Sequence, residues 1–71
     1  MMRKLYRTTK HGTQYWEAWD VGRKLVVHFG TLGTIGKKKT VHIPKGVSIA
    51  SAIAKEAAAP KRDGFKRGFE L

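Results

Sequence analysis

The sequence predicts an α+β fold, in which a small antiparallel sheet of about four to five strands carries one helix packed on one face. Residues 14–20 and 23–30 are two alternating apolar runs, rich in aromatic and β-branched side chains, that flank Val21-Gly22. Glycine allows the positive φ of a tight turn, so the two runs predict a β-hairpin. A later segment, from Ser48, repeats apolar residues at helical spacing. All 71 residues are expected to form a single small domain.

The predicted hairpin sorts its side chains onto two different faces. A two-residue turn at Val21-Gly22 pairs Ala18 with Leu25 and Trp16 with Val27. One face is then apolar and is expected to be core: Trp16, Ala18, Leu25, Val27 and Phe29. The opposite face is mixed and is expected to be solvated or to bear a ligand: Tyr15, Glu17, Trp19, Lys24, Val26 and His28.

The remaining elements flank this hairpin. Residues 3–10 predict a first strand, and residues 38–43 predict a fourth that ends at Pro44-Lys45-Gly46. Between the third and fourth strands, glycine at positions 30, 33 and 36 favours a bulged, curving connection.

The helix is predicted to begin after Ser48, a good N-cap residue, and to end near Ala59 because Pro60 disfavours helical geometry before it. Its expected apolar stripe is Ile49, Ala50, Ile53, Ala54, Ala57 and Ala58. Residues 65–71 are expected to form a short closing strand, or a tail that packs Phe65, Phe69 and Leu71.

Charge is the strongest compositional signal. Lysine and arginine number 15 against 5 acidic residues, a formal net charge of +10. A field of this sign attracts polyanions, and nucleic acid is the most abundant polyanion in a cell. There is no cysteine and no apolar run of the roughly 20 residues that cross a bilayer. We therefore expect a soluble, cytoplasmic protein without a membrane partner, associated with the nucleoid if the source is bacterial.

The residues that could support catalysis are scattered. The five carboxylates do not cluster, and no nucleophile is paired in sequence with a base. The glycine spacing GxxGxxG differs from the dinucleotide fingerprint GxGxxG, and Gly36-Lys37 lacks the upstream glycine of a P-loop. We expect no enzyme activity, no cofactor, no metal site and no small-molecule substrate.

Aromatic side chains interleaved with cations are the better candidates for a binding site. Tyr15 and Trp19 on the outer face can stack on bases or sugars, while Lys24 and His28 hold phosphate. Further contacts to a phosphate backbone are expected from other basic residues along the chain: Arg23, Lys37, Lys38, Lys39, Lys61 and Arg62.

Several of these features together resemble the WGR domain, a small module of DNA-dependent poly(ADP-ribose) polymerases and bacterial proteins. The resemblance runs from Tyr15-Trp16 through residues 27–37 (VHFGTLGTIGK) to the helix and to Lys61 and Gly64-Phe65. The family's Trp-Gly-Arg triplet corresponds to Phe29-Gly30-Thr31. The resemblance implies that Phe29 and Thr31 lie at a ligand-facing edge, although the predicted register places Phe29 in the core.

The sequence thus predicts a non-enzymatic nucleic-acid-binding module, with DNA favoured over RNA, that acts by phosphate neutralisation and aromatic stacking. The alternative is a protein-interaction or regulatory module whose outer face docks an acidic partner.

Overall fold

Four antiparallel strands and one helix make up the part of the chain that the computed structural model describes, residues 1–68. The strands are β1 (Met2–Thr9), β2 (Gly12–Val21), β3 (Lys24–Thr31) and β4 (Lys37–His42), paired in chain order, and the helix is α1 (Ile49–Arg62). The predicted fold class is confirmed, with four strands. Phe69 and Leu71, for which packing was expected, lie outside the described residues.

The register of the central hairpin differs from the predicted one by two residues. Ala18 pairs with Val27 and Trp16 with Phe29, so the turn residues are Gly22 and Arg23. Gly22 has φ of +61°, and two-residue hairpin turns favour glycine at the first central position. Because the shift is an even number of residues, every side chain keeps its predicted face.

The helix covers the predicted apolar face, which we call the covered face. Five buried residues form one cluster, Leu5, Trp16, Ala18, Val27 and Ala57, and four form a second, Leu25, Ile43, Ala52 and Ile53. Phe29 and Phe65 are partly buried against the first cluster. The core therefore lies on one side of the sheet, between the strands and α1.

Helix α1 begins as predicted and ends later than predicted. The Ser51 amide donates to Ser48 Oγ at 3.1 Å, which satisfies an otherwise unpaired N–H of the first turn. The helix continues through Pro60 to Arg62. Proline costs the helix its own amide bond, but the Asp63 amide still donates to the Ala59 carbonyl at 3.1 Å. The last turn is thus held despite Pro60.

The buried stripe of the helix is also rotated from the predicted one. Ala52, Ile53 and Ala57 are buried, whereas Ala50 and Ala54 are exposed. Alanine is small enough to be tolerated on either side of a helix, so it specifies the buried face poorly, and the isoleucine at position 53 decides the orientation.

The segment after the helix returns to the sheet. Tyr6 and Lys66 exchange both backbone hydrogen bonds, at 2.7 and 2.8 Å, on the outer edge of β1. The predicted closing strand is therefore a single bridge within the described residues. Among these residues, no helix has the length and apolar character needed to cross a bilayer.

Candidate nucleic-acid interface

The sheet surface opposite α1, which we call the open face, carries rows of side chains that run across the strands, and three adjacent rows lie at its centre and lower end. Strand alternation and the observed pairing define them. The charged row is Lys4, Glu17, His28 and Lys38; the apolar row is Met2, Trp19, Val26 and Thr40; the lower row is Val21, Lys24 and His42.

The apolar row places an indole at the centre of the open face. Trp19 on β2 lies between Met2 on β1 and Val26 on β3. Trp19 and Val26 are half-buried, and Met2 is 55% exposed. The buried clusters lie on the covered face, so this row keeps part of its apolar surface in contact with solvent. Lysines on both neighbouring rows border it.

The charged row contains a histidine whose two ring nitrogens both face hydrogen-bond acceptors. His28 Nδ1 lies 3.0 Å from Glu17 Oε2, and His28 Nε2 lies 2.8 Å from the Ile35 carbonyl oxygen. An ionised carboxylate and a backbone carbonyl only accept, so this geometry favours the protonated ring, in which both nitrogens donate. The hydrogen bond to Glu17, followed by the one to Ile35, raises the pKa of His28 above its ordinary value.

This histidine also anchors the connection between β3 and β4, residues 32–36, which we call the glycine loop. Tyr15 Oη lies 3.3 Å from His28 Nε2, so the loop, the phenol and the imidazole meet at one point. A Cβ on Gly36 would overlap the Tyr15 hydroxyl and lie 2.7 Å from the Phe29 carbonyl oxygen. Gly36 also has φ of +75°, so both the backbone conformation and the lack of space for a Cβ require glycine at this position.

The residues predicted to bind nucleic acid do not form one patch. Five lie on the open face: Tyr15, Trp19, Lys24, His28 and Lys38. Four lie on the covered side of the sheet: Phe29, Thr31, Lys37 and Lys39. Three lie outside the strands: Arg23 in the hairpin turn, with Lys61 and Arg62 in the last turn of α1. The predicted set therefore combines residues of both faces of the sheet with residues outside the strands.

The three consecutive lysines of β4 do not act as a unit. Lys38 pairs with His28 on the open face, whereas Lys37 and Lys39 alternate onto the covered side. Lys39 Nζ lies 3.4 Å from Glu56 Oε1, an ion pair with the helix. Lysines on an edge strand also discourage pairing with another chain. Lys38 is the member of the trio that can contact a ligand on the open face.

Two arginines near these surfaces are already bonded within the fold. Arg23 Nη2 donates to the Pro44 carbonyl at 2.7 Å and to the Val47 carbonyl at 3.1 Å, so it holds the segment that leads into α1. Arg7 Nη1 donates to the Asp63 carbonyl at 2.6 Å, and its guanidinium lies 4.6 Å from the centre of the Phe65 ring. Both side chains tie segments together, which reduces their availability to phosphate.

Phe29 and Thr31 lie where the covered face ends. Phe29 is half-buried and contacts the core, and it shares a shallow concavity with Thr31, Arg7, Gln14 and Phe65. Arg7 Nε donates to Gln14 Oε1 at 3.0 Å beside this concavity. Phe29 is thus a core contact, as the strand pattern predicts, and it also lines this concavity. The ligand-facing role that the resemblance implies for it stays a prediction.

Sequence reasoning missed two parts of the open face. Lys4, Met2 and Tyr6 join it because β1 pairs with β2 along its whole length. Glu17 and His28 become direct cross-strand partners only in the observed register. The placement of glycine at the first turn position was the signal that could have given this pairing. His28 and His42, on adjacent strands, pair with Lys38 and Lys24 and not with each other.

Within residues 1–68, no group of three or more histidine, aspartate or glutamate side chains could hold a metal ion. Comparison of the chain with protein-family models, with curated proteins and with solved structures finds no match. The geometry of the open face is therefore the feature of the molecule that points to a function.

Proposed function

We propose that this chain is a non-enzymatic nucleic-acid-binding module, with DNA as the favoured ligand, and that the open face is its binding surface. The observation that carries the proposal is the position of Trp19, half-buried at the centre of an apolar row with a lysine-bearing row on each side. An aromatic platform with flanking cations is the arrangement used for single-stranded nucleic acid.

The two kinds of side chain have separate roles. The indole of Trp19 offers a flat surface on which a base can stack, whatever its sequence. Lys4 and Lys38 on one side and Lys24 on the other contact phosphates, and phosphate contacts supply most of the affinity without sequence preference. The net charge of +10 draws the polyanion towards the domain before these contacts form.

The resemblance to WGR domains supports the same class of ligand, and we carry it forward as part of this proposal. In this chain the resemblance places Phe29-Gly30-Thr31 at the triplet. Threonine stands where an arginine would contact phosphate, and a charge-assisted hydrogen bond of about 1.5–3 kcal/mol is missing there. We therefore assign the main contact to the open face, where the lysines are.

A second candidate function is docking of an acidic protein segment on the same face. It is favoured by exposed apolar side chains beside Trp19, since Met2 is 55% and Val21 is 58% exposed. A protein partner would bury this apolar surface and pair its carboxylates with the lysines. Nuclease treatment separates the two functions, because a protein partner would remain bound after nucleic acid is digested.

Fluorescence anisotropy with labelled single-stranded DNA, single-stranded RNA and duplex DNA, at several salt concentrations, tests the proposal. Three lysines that neutralise about three phosphates predict a slope of about −2.1 for log K against log salt with single strands. Tighter binding of DNA than of RNA is expected. Affinity that is undetectable for all three ligands, or that does not change with salt, would contradict the proposal.

Trp19→Ala is the matching substitution. Loss of one stacked base predicts a weakening of about 5- to 150-fold, equivalent to about 1–3 kcal/mol. Ile35→Ala is the control, because Ile35 is 92% exposed on the glycine loop and lies off the apolar row. Equal affinity of the two variants would remove Trp19 from the interface.

A further inference from the structure

A concavity of about 190 Å³ opens on the open face, between the charged row and the glycine loop. Tyr15, only 9% exposed, contributes to its base, and Leu32 reaches it from the glycine loop. Its lining residues come from β1, β2, β3 and this loop: Lys4, Tyr6, Tyr15, Trp16, Glu17, His28 and Leu32. The charged row separates the concavity from the apolar row, so a strand that is stacked on Trp19 and crosses the charged row reaches its mouth.

Two opposite charges lie side by side in its wall. Lys4 and Glu17 are direct cross-strand partners. Glu17 Oε2 holds His28 at 3.0 Å, while Oε1 makes no hydrogen bond to any residue within 1–68. In the same part of the chain, no carboxylate lies within ion-pair distance of the Lys4 ammonium. The wall therefore presents a strong acceptor beside a strong donor.

The hydrogen bond to His28 fixes the orientation of this carboxylate. The imidazole is itself held by the Ile35 carbonyl, and its hydrogen bond limits the rotation of the Glu17 carboxylate. Four lone-pair positions belong to a carboxylate, and His28 takes one of them. Two adjacent donors on a planar ligand can therefore be bound together.

Among the four DNA bases, guanine matches this wall best. Its Watson–Crick edge carries two adjacent donors, N1–H and the N2 amino group, beside the O6 acceptor. The donors face Glu17, and O6 faces the Lys4 ammonium, which gives three charge-assisted hydrogen bonds. Adenine, cytosine and thymine each offer one donor to the carboxylate and one acceptor to the lysine.

We infer that this concavity is a subsite that selects one unpaired guanine in a bound nucleic-acid strand. The inference rests on the proposed function and adds a base preference to it. A guanine within a duplex has its Watson–Crick edge occupied, so the subsite acts on single-stranded or unpaired segments. Stacking on Trp19 is insensitive to sequence, whereas the Lys4–Glu17 pair reads the base.

Binding of short thymidine strands that carry one different central base tests the inference. We expect the strand with a central dG to bind about tenfold more tightly than the all-thymidine strand, since one well-placed set of contacts to a base discriminates by about 1–3 kcal/mol. Strands with central dA or dC should bind like the all-thymidine strand, because these bases match the wall no better than thymine does. A strand with a central hypoxanthine, which lacks the N2 amino group of guanine, should bind more weakly than the dG strand and more tightly than the all-thymidine strand. This comparison requires no change to the protein.

Glu17→Gln should reduce affinity for the dG strand to that for the all-thymidine strand and leave the latter no weaker. Glu56→Gln is the control, because Glu56 pairs with Lys39 on the covered side and should leave the dG preference unchanged. Equal affinity of the wild-type protein for all the strands would overturn the subsite while leaving the proposed function intact. Absence of binding to every strand would overturn both.

Discussion

The two faces of the sheet are built from the same four strands but differ in what lies against them. On the covered face, Leu25 and Val27 are buried under α1. On the open face, the residues that alternate with them, Val26 and His28, remain partly exposed. In a small domain with little buried surface, the covered face must supply most of the stability. The open face is therefore the one that can hold side chains for binding.

The largest expected effect is on stability, and it separates neighbours on one strand. Leu25→Ala should lower the free energy of unfolding by about 2–5 kcal/mol, because a fully buried side chain leaves a cavity. Val26→Ala, one residue further along β3, should cost about 1 kcal/mol. Urea unfolding followed by circular dichroism measures both. Comparable losses would mean that the open face is packed as tightly as the covered one.

The glycine loop gives the next effect. Gly36→Ala should cost about 2–4 kcal/mol, since φ is +75° and the new methyl group would overlap the Tyr15 hydroxyl. Gly33→Ala is the matched control, because Gly33 also has positive φ, +90°, but a Cβ there would meet nothing within 4 Å. Its cost should be about 1–2 kcal/mol of backbone strain. Similar losses in the two variants would show that the contact with Tyr15 contributes little.

The smallest effect is a pH dependence of the stability that His28 provides by holding the glycine loop. Because the folded pKa of His28 lies above its ordinary value of 6.5, its contribution to stability is fully present below 6.5 and is lost as pH rises through the folded pKa. The stability difference between the wild type and His28→Gln should therefore be largest below pH 6.5 and shrink as pH rises through the folded pKa.

His42→Gln is the control for this pH dependence. His42 lies on the same face in β4 and is exposed. NMR titration of the His28 imidazole in the wild type and in His42→Gln gives its pKa directly, and the two values should agree. A folded pKa of His28 at or below 6.5 would contradict a doubly donating ring.

The sequence carried enough information to assign side chains to the two faces of the sheet. It did not carry enough to set the register in which the strands pair. Side-chain period two fixes which residues share a face, so Trp16 and Trp19 were placed on opposite sides as observed. The same pattern is unchanged by a shift of two residues, so it could not pair Glu17 with His28. That pairing depended on Gly22 taking the first turn position.

The candidate site was harder to predict than the fold because it draws on separate strands. The run of lysines at 37–39 looks like one basic patch in sequence, but strand alternation divides it between two surfaces. Lys4 enters the open face only through the pairing of β1 with β2. Arg23 and Arg7 were indistinguishable in sequence from ligand-binding cations, and only their bonds to backbone carbonyls place them within the fold.

The most direct test that the open face binds nucleic acid compares two adjacent lysines on β4. Lys38 faces the open side, whereas Lys37 faces the covered side, and both are exposed. Single-stranded DNA affinity, measured by anisotropy for Lys38→Glu and Lys37→Glu at equal salt, isolates the face because both substitutions change the charge equally. We predict that Lys38→Glu weakens binding by at least about tenfold more than Lys37→Glu does. Equal weakening by the two, or a larger loss with Lys37→Glu, would contradict the account.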